Sequence, residues 1–264
     1  MQNIYNLHVL ASGSSGNSYC IETDSDLVFV DIGVSLQELN AFFETVPHGG
    51  RAISLLITHE HGDHISGLPA FVRRFSPTIY SSTGTARAIF EKVNTEIITL
   101  QRDSYYDADS FAIVPFDVSH DAAEPFGFML MTAQGNIGFA TDLGCVTDKQ
   151  LRHLEDSDVL VLEANHDKEL LRKGKYPYYL KRRIASHKGH LSNDDAMAAI
   201  ASLHMGNLKH CLLAHVSEEN NSYELLEQCR AFCESAYGLQ ADVLRQKQSR
   251  SFAMEQLCNL ALAK

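Results

Sequence analysis

The sequence predicts an α/β (α+β) fold in which two β-sheets pack against each other and helices cover their outer faces. Strand-like segments dominate the first half of the chain, whereas strand-like and helix-like segments alternate in the second half. Sheets and amphipathic helices bury their apolar faces against one another, and layered sheets with outer helices meet that requirement. No low-complexity segment or linker interrupts the pattern, so we expect residues 1–264 to form a single domain.

The first half begins with apolar runs that are typical of an antiparallel meander. The predicted strands are Ile4–Leu10, Tyr19–Thr23 and Leu27–Val30. Ser35 and Glu38 form a capping box, which predicts that a helix begins directly after Ser35. A buried strand and two helices complete this half: Ile53–Ile57, Ile65–Phe75 and Gly84–Lys92.

The second half contains further apolar runs that predict strands. They are Phe111–Val118, Phe126–Thr132, Asn136–Ala140, Val159–Leu162 and His210–Ala214. A Gln134-Gly135 turn joins the second and third of them. Apolar residues at helical spacing predict two amphipathic helices, Asn193–His204 and Tyr223–Ala236.

The composition favours a globular protein that does not span a membrane. Apolar residues make up 45% of the chain, but no segment approaches the roughly 18 uninterrupted apolar residues of a membrane span. The first residues, MQNIYNLHVL, lack the basic start and long apolar run of a signal peptide. The six cysteines contain no CxxC pair. We therefore expect a cytoplasmic protein with reduced thiols.

Charge is distributed unevenly along the chain. The formal net charge of −11 by itself argues against a nucleic-acid partner. The segment Lys168–Lys188, however, holds eight lysines and arginines and only one acid. A basic segment on an acidic protein can form a local surface for anions, or it can be a solvated helix face. Both interpretations stay open from the sequence.

A dense group of imidazoles and carboxylates follows the predicted strand Ile53–Ile57. It reads His59-Glu60-His61-Gly62-Asp63-His64. Neutral imidazoles and carboxylates suit zinc, manganese or iron. In an extended turn His59 and His61 can point to one side, and Gly62 lets the backbone turn so that Asp63 and His64 reach a second point nearby. The alternative, a set of satisfied core histidines, would bury several polar groups without partners.

This HxHxDH pattern after a buried strand resembles the signature of the metallo-β-lactamase-fold hydrolases. The resemblance implies a four-layer αββα sandwich with a binuclear metal site at the edge of the sheets. It also implies three later ligands at strand ends, for which His120, Asp142 and His215 are the candidates. One metal would then be held by His59, His61 and His120, and the other by Asp63, His64 and His215, with Asp142 bridging them.

Further segments make the chain similar to the YycJ/WalJ-type branch of that family over essentially its whole length. They are SGSSGNS near the start, LEANHD at Leu162–Asp167, YP at Tyr176–Pro177 and SHKGHLSNDDA at Ser186–Ala196. The branch implies a 5′→3′ exonuclease acting on DNA. Related tRNA 3′-processing endonucleases carry a Glu and a His at the places of Glu163 and His190, where the pair handles proton transfer near the leaving group.

These residues suit phosphodiester hydrolysis. Two metals about 4 Å apart can hold a bridging hydroxide as nucleophile and neutralise charge on the phosphorus oxygens. We assign Asp63 as both ligand and orienter of that hydroxide. His190 is the candidate general acid and Glu163 its hydrogen-bond partner. The candidate substrate contacts are Ser14, Ser15, Asn17, Asn165, His187, Lys181 and Arg182.

The SGSSGNS stretch is predicted to be a hairpin turn near the metal edge, not a flexible linker. Its glycines let backbone N–H groups point outward, and Ser14, Ser15 and Asn17 add donors that could hold a substrate phosphate. The alternative is a turn whose residues only satisfy their own backbone. Tyrosines within Lys168–Lys188 offer stacking faces for nucleobases, or they are packing residues.

The expected function is therefore a metal-dependent nuclease with two divalent ions, zinc or manganese, with iron also suited. DNA is favoured over RNA as the nucleic-acid substrate on the resemblance alone. Three alternatives remain: a tRNA 3′-processing-type RNA endonuclease, a small-molecule ester or thioester hydrolase, and a non-catalytic metal-binding protein. The oligomeric state and the pathway are not determined by the sequence.

Overall fold

Apolar strands and amphipathic helices combine in two layers of sheet between two layers of helix. The computed structural model describes residues 5–93, 95–108 and 110–259. Its strands are β1 (Asn6–Ala11), β2 (Ser18–Glu22), β3 (Asp26–Val30), β4 (Ala52–Leu56), β5 (Thr78–Ser82), β6 (Ile97–Leu100), β7 (Tyr106–Asp107), β8 (Phe111–Asp117), β9 (Phe126–Thr132), β10 (Gly135–Ala140), β11 (Val159–Glu163), β12 (His210–Ala214), β13 (Gln240–Val243) and β14 (Arg250–Ala253).

The helices lie between or after these strands along the chain. They are α1 (Leu36–Thr45), α2 (Gly62–Ile65), α3 (Leu68–Phe75), α4 (Thr83–Val93), α5 (Asp148–Leu154), α6 (Lys168–Lys173), α7 (Tyr178–Ile184), α8 (Asn193–Leu203), α9 (Tyr223–Phe232) and α10 (Met254–Asn259). A π-helical turn, Cys233–Tyr237, continues α9. The capping box predicted at the start of α1 is present: the Ser35 hydroxyl accepts from the Glu38 N–H, and the Glu38 carboxylate accepts from the Ser35 N–H.

Each sheet has seven strands, in the orders β14-β1-β2-β3-β4-β5-β6 and β13-β12-β11-β10-β9-β8-β7. The predicted antiparallel meander is confirmed for β1, β2 and β3, whereas β3 to β6 run parallel. In the second sheet β10 to β13 are parallel, and β7 to β10 are antiparallel neighbours. Parallel strands bring their carboxyl ends to one edge, and the functional residues lie at that edge.

Three groups of buried side chains hold the layers together. The central one lies between the sheets, where the rings of Tyr19 and Phe139 meet edge to face with centroids 5.5 Å apart. A second group packs α8 and α9 on the outer face of one sheet, and a third packs α1 and α3 on the other. Phe71 of α3 contacts Phe29 of β3 with ring centroids 5.0 Å apart. The predicted αββα sandwich is confirmed.

Most predicted boundaries lie within one or two residues of the observed ones, but two predicted helices differ more. The helix predicted over Tyr223–Ala236 ends as an α-helix at Phe232, where the π-helical turn begins. The expected helix Ile65–Phe75 is interrupted, since α2 ends at Ile65 and α3 begins at Leu68. Gly67 lies between them, and a Cβ there would come 2.1 Å from the Val34 carbonyl oxygen. The close approach of the Val34 backbone therefore requires glycine, and the Gly67 N–H donates to the Ile32 carbonyl at 2.9 Å instead of to a helical carbonyl. The predicted first strand included Ile4, which lies outside the described residues.

The two ends of the described chain meet in one sheet. Strand β14 pairs antiparallel with β1, so that Asn6 lies opposite Ala253. We infer from this pairing that the chain forms a single domain. Within residues 5–93, 95–108 and 110–259, no helix has the length and apolar character needed to cross a membrane.

A buried polar cluster on β1 and β2 provides a test of stability. His8 Nε2 lies 3.0 Å from Glu22 Oε2, and Arg51 Nη1 donates to Glu22 Oε1 at 2.7 Å. The hydrogen bond with His8 lowers the pKa of Glu22 to about 2, against the opposing effect of burial and with help from Arg51. Because the folded-state pKa is depressed, the carboxylate stabilises the fold above its ordinary pKa of 4.5 and loses that contribution as the pH falls toward 2.

We expect Glu22→Gln to lower the free energy of unfolding by about 1–3 kcal/mol at neutral pH. Urea unfolding followed by circular dichroism over a pH series measures this difference, which should shrink as the pH falls below the ordinary pKa of Glu22. Glu44→Gln, at an exposed glutamate of α1, is the matched control and should be neutral. Equal stability of both variants at neutral pH would contradict the prediction.

Candidate metal centre

The candidate ligands lie where strands that run in the same direction end at one edge of the two sheets. His59 follows β4 in the first sheet, and His120 follows β8 in the second. The rings of these two histidines lie 5.0 Å apart between centroids, so the two sheets meet at this edge. The loop after β10 supplies Asp142, and the residue after β12 is His215. Residues from distant parts of the chain therefore converge on one point.

The first cluster consists of His59, His61 and His120, whose ligand atoms all lie within 4.8 Å of one another. His59 and His120 are buried and His61 is partly exposed. His120 Nε2 lies 3.2 Å from His61 Nδ1. The other ring nitrogen of His120 lies 3.0 Å from the Gly189 carbonyl oxygen, which orients Nε2 toward the cluster.

The second cluster consists of Asp63, His64, Asp142 and His215, again with ligand atoms within 4.8 Å. His64 Nε2 lies 3.0 Å from Asp142 Oδ2 and 3.5 Å from Asp63 Oδ2. His215 Nε2 lies 3.4 Å from Asp63 Oδ2. Asp63 and His64 both lie on the short helix α2. The helix directs both side chains into the second cluster, although the residues are neighbours in sequence.

Asp142 lies between the two clusters. Its Oδ2 is near His64 of the second cluster, and its Oδ1 lies 3.8 Å from His120 Nε2 of the first. The carboxylate is 2% exposed, and its backbone adopts a left-handed conformation with φ of 56°. His215 is left-handed as well, with φ of 51°. Backbone strain of this kind persists only where the surrounding structure imposes it, and it is common at functional sites.

The polar atoms of the two clusters are consistent with metal binding. Three buried ones make no hydrogen bond within the described part of the chain: His59 Nε2, Asp142 Oδ2 and His215 Nε2. Atoms that approach each other closely without hydrogen-bond geometry are expected where lone pairs point at a common cation. Buried polar atoms that lack any partner are costly, and a bound ion would remove that cost. Imidazole and carboxylate donors fit divalent metal ions.

Burial and charge shift the pKa values in this site. Burial, with a smaller contribution from the neighbouring His64, holds the pKa of His59 well below its usual range, so the ring is neutral and suited to a metal. Burial also lowers the pKa of His120. For Asp63 burial acts in the opposite sense, but the close contacts with His215 and His64 outweigh it and lower the pKa. Asp63 is therefore ionised.

Asp31 is a part of the site that the sequence analysis did not identify. Its Oδ2 lies 2.7 Å from His64 Nδ1, and the same oxygen accepts a hydrogen bond of 2.7 Å from the Thr58 hydroxyl. The Thr58 N–H donates to the other carboxylate oxygen at 2.8 Å. Asp31 thereby fixes the His64 ring so that Nε2 faces the second cluster. The available signal was an acidic residue directly after the buried strand β3.

We expect Asp31→Asn to weaken metal binding about 10–100-fold, because the amide orients His64 less strongly than the carboxylate. The φ of Asp31 is 58°, and Asn tolerates this conformation, so the backbone should be preserved. Calorimetric titration of the metal-depleted protein with Zn²⁺ and with Mn²⁺ measures the change. The matched control is Asp103→Asn, at an exposed aspartate with φ of 62°. Unchanged affinity in Asp31→Asn would refute the orienting role.

Glu163 and His190 lie directly beside the second cluster. Glu163 Oε1 lies 2.7 Å from His190 Nδ1 and 3.0 Å from His215 Nδ1. Its other oxygen accepts from the N–H groups of Leu143 and Leu191, at 2.8 and 3.2 Å. The carboxylate is fully buried and fully hydrogen-bonded, and it holds one candidate ligand as well as His190.

The negative charge of Glu163 and the positive charge of His190 stabilise each other. Burial opposes ionisation of Glu163, but the charge of His190 and hydrogen bonds from His190 and His215 lower its pKa to about 2. Burial also opposes protonation of His190, yet the nearby charge of Glu163 raises the pKa of His190 above its usual value. The His190 side chain is 20% exposed, so its ring reaches the open side of the site.

The predicted turn between β1 and β2 lies against the metal edge. The Asn17 N–H donates to the Asp63 carbonyl at 2.8 Å, and the Asn17 Nδ2 lies 3.1 Å from His64 Nε2. Asn17 is fully buried and supports the ligands from beneath. Ser14 and Ser15 are exposed at the tip of the turn, and the Ser15 hydroxyl donates to Gln246.

The other predicted substrate contacts lie in two groups. Asn165 is buried, and its amide donates to the His215 carbonyl at 2.9 Å, so it supports a candidate ligand. His187 is exposed, and its carbonyl accepts from the Ser119 hydroxyl at 2.6 Å. Lys181 and Arg182 lie on α7 at the surface, away from the buried clusters. Contact of any of these residues with substrate stays a prediction.

The family model described as beta-lactamase superfamily domain matches residues 26–215, which contain every candidate ligand. The chain is a member of this superfamily. Exodeoxyribonuclease YycJ of Bacillus anthracis is 38% identical over 223 residues, which cover 82% of this chain and 84% of that protein. Exodeoxyribonuclease WalJ of Streptococcus pneumoniae is 36% identical over 227 residues, covering 82% and 83%.

A solved structure of similar fold agrees with this assignment. YhfI of Bacillus subtilis, a metallo-beta-lactamase fold protein, superposes with a TM-score of 0.70 at 16% identity. The likeness covers 94% of this chain and 100% of that one, and at this identity it supports the fold alone. The predicted family and its YycJ/WalJ-type branch are confirmed by these comparisons, and so is the expectation of a metal-dependent hydrolase.

Proposed function

We propose that the chain is a phosphodiesterase with two divalent metal ions that degrades DNA as a 5′→3′ exodeoxyribonuclease. The observation that carries the proposal is the pair of adjacent ligand clusters with Asp142 between them and Glu163–His190 beside them. Two relatives that match most of this chain are named exodeoxyribonucleases, which favours DNA over RNA. The direction of degradation rests on the resemblance to their branch.

The proposed first metal position uses His59, His61 and His120, and the second uses Asp63, His64 and His215, with Asp142 shared by both. Zinc and manganese suit these donors, and iron fits as well. Two divalent ions held there would supply Lewis acidity toward a phosphodiester and would acidify a water molecule to serve as the nucleophile.

The side chains of the protein would perform the remaining tasks. The Asp63 carboxylate, which is ionised and partly exposed, would accept a hydrogen bond from the attacking water and orient it. His190 would donate a proton to the leaving oxygen of the deoxyribose. Glu163 would hold the Nδ1 of His190 at 2.7 Å and thereby direct the other ring nitrogen toward the substrate.

The basic segment supports a nucleic-acid substrate. Helices α6 and α7 carry most of its cations, and the segment lies in sequence between Glu163 and His190. The cations would contact the phosphate backbone, which dominates the affinity of nucleic-acid binding. We also infer a cytoplasmic location, because the six cysteines are unpaired in the structure.

The first test incubates the purified protein with end-labelled single-stranded DNA, duplex DNA and RNA, in Mn²⁺ and in Zn²⁺. Asp63→Ala is the inactive control. We expect release of mononucleotides from the 5′ end of DNA that depends on metal and is lost in the variant. A circular single strand should resist cleavage, because an exonuclease requires an end.

The other outcomes separate the alternatives. Internal cleavage of RNA alone would replace the proposal with an RNA endonuclease. Absence of nucleic-acid cleavage in a protein that binds two metals would favour a small-molecule ester or thioester hydrolase, which a panel of such esters would reveal. A protein that binds metal but hydrolyses none of these substrates would be a non-catalytic metal-binding protein.

A further inference from the structure

A cleft of about 470 Å³ lies against the two helices of the basic segment, outside the metal centre. Its walls are mostly apolar and include Leu171 of α6 and the ring of Tyr178 on α7. Arg172, Lys181 and Arg182 also line it. The volume lies in the range of sites that bind small organic groups. We call this space the helical cleft.

Cationic groups surround the apolar part of the helical cleft. The Arg182 guanidinium lies 5.9 Å from the centroid of the Tyr178 ring, and that ring is 76% exposed. Lys181 Nζ donates one hydrogen bond, to the Arg172 carbonyl at 2.9 Å, and a lysine has three donors. An exposed aromatic face beside cations is an arrangement that holds a flat, electron-rich ring next to an anion.

A buried histidine gives the helical cleft a polar group of its own. His166 lines the cleft, is 2% exposed, and its Nδ1 has no hydrogen-bond partner within the described residues. The residue follows Glu163 by three positions, so the wall of the cleft continues from the strand end that supports His190. An unpaired buried nitrogen is costly unless a ligand supplies its partner.

The helical cleft adjoins a second cleft of about 460 Å³. The two clefts share Lys168 and Ala185. The second one is also lined by Gly144 and Cys145, which follow Asp142 by two and three residues.

We propose that the helical cleft binds one unstacked nucleobase of single-stranded DNA, with the adjoining phosphate on Lys181 and Arg182. The inference rests on the proposed function, since it assumes that DNA is the substrate. Apolar walls suit the faces of a base, Tyr178 offers a stacking surface, and His166 forms part of the wall. The cations complement the phosphate of a nucleotide. An acidic peptide would match the cations but would not use the aromatic face of Tyr178.

Two pairs of variants test the proposal. Ala185 is exposed and lines both clefts, so Ala185→Trp should obstruct the helical cleft without disturbing the core, while Ala185→Ser leaves it open. Tyr178→Ala removes the stacking ring, and Tyr178→Phe retains it. We expect Ala185→Trp and Tyr178→Ala to weaken binding of a phosphorothioate single strand roughly tenfold, and the matched partners to bind like the wild type.

An abasic scan identifies the base that occupies the cleft. Oligonucleotides that lack one base at each successive position are titrated against the wild type and against Ala185→Trp. We expect one position at which loss of the base weakens binding to the wild type roughly tenfold but has no effect in Ala185→Trp. Equal losses in both proteins, or wild-type affinity in Ala185→Trp and Tyr178→Ala, would overturn the proposal.

A small phosphodiester separates failure of this inference from failure of the proposed function. Bis(p-nitrophenyl) phosphate has no nucleobase, so the wild type should hydrolyse it whether or not the helical cleft binds a base. Full hydrolysis of this ester and of DNA, with DNA affinity unaffected in every variant, would overturn only the cleft assignment. No hydrolysis of either substrate by the wild type would overturn the proposed function and the cleft assignment together.

Discussion

Asp142→Asn should lower the rate of phosphodiester hydrolysis by about 10³-fold or more, since a carboxylate shared by two metal positions is worth several kcal/mol. Its two oxygens lie 3.0 Å from His64 Nε2 and 3.8 Å from His120 Nε2, one in each cluster. The amide is uncharged and keeps only one oxygen. We therefore expect the dialysed variant to hold less metal than the wild type, as measured by elemental analysis alongside turnover of bis(p-nitrophenyl) phosphate.

A matched control is available at the other end of β12. Asp242 Oδ2 lies 2.9 Å from His210 Nε2, which is a carboxylate–imidazole contact like those of the site but remote from it. Asp242→Asn should retain both metals and full turnover. If Asp142→Asn kept wild-type metal content and turnover, the carboxylate would not be shared by two metals and the assignment of the second cluster would be wrong.

His190→Ala should lower the rate of DNA hydrolysis by about 10²–10⁴-fold, because the leaving deoxyribose oxygen needs a proton. The same variant should hydrolyse a p-nitrophenyl ester of thymidine 5′-phosphate within about tenfold of the wild-type rate, since p-nitrophenolate leaves without protonation. Comparing kcat for the two substrates measures the proton-transfer role directly. A purely structural role of His190 would lower both rates by the same factor.

His48→Ala, at an exposed histidine after α1, is the control for this comparison and should affect neither substrate. Glu163→Gln should affect both a candidate ligand and the candidate general acid, because Glu163 contacts His215 as well as His190. It should lower the rate for both substrates, with the larger effect on DNA. A Glu163→Gln variant with wild-type DNA hydrolysis would show that the pair does not act in the reaction.

Much of the fold was predictable because its signals are local. Alternating and continuous apolar runs identified β1 to β4 and β8 to β12, and the capping box at Ser35 identified the start of α1. The sequence analysis missed β5, which lies inside the first sheet, and four short edge strands: β6 and β7 at one side of the sandwich, and β13 and β14 at the other. Edge strands are half paired and partly exposed, so their apolar pattern is weak.

The candidate ligands were predictable for a different reason. Four candidate ligands fall within the six positions 59–64: His59, His61, Asp63 and His64. A surface loop without a function rarely concentrates such donors. The resemblance to a family then drew attention to single residues at the ends of other strands. The sequence analysis did not identify Asp31 as part of the site, because a single aspartate after a strand carries no distinctive local signal. Its role depends on the 2.7 Å contact with His64, which is 33 positions away.

By itself, the sequence determined the layered α/β class, the HxHxDH motif and the local turns, since these depend on residues close together in the chain. The tertiary structure decided which distant residues share one point. It brought Asp142 between the two histidine clusters, joined Glu163 to both His190 and His215, and placed Asn17 beneath the ligands. The physical reason is that parallel strands from both sheets end at one edge, and only their packing fixes the distances between the side chains there.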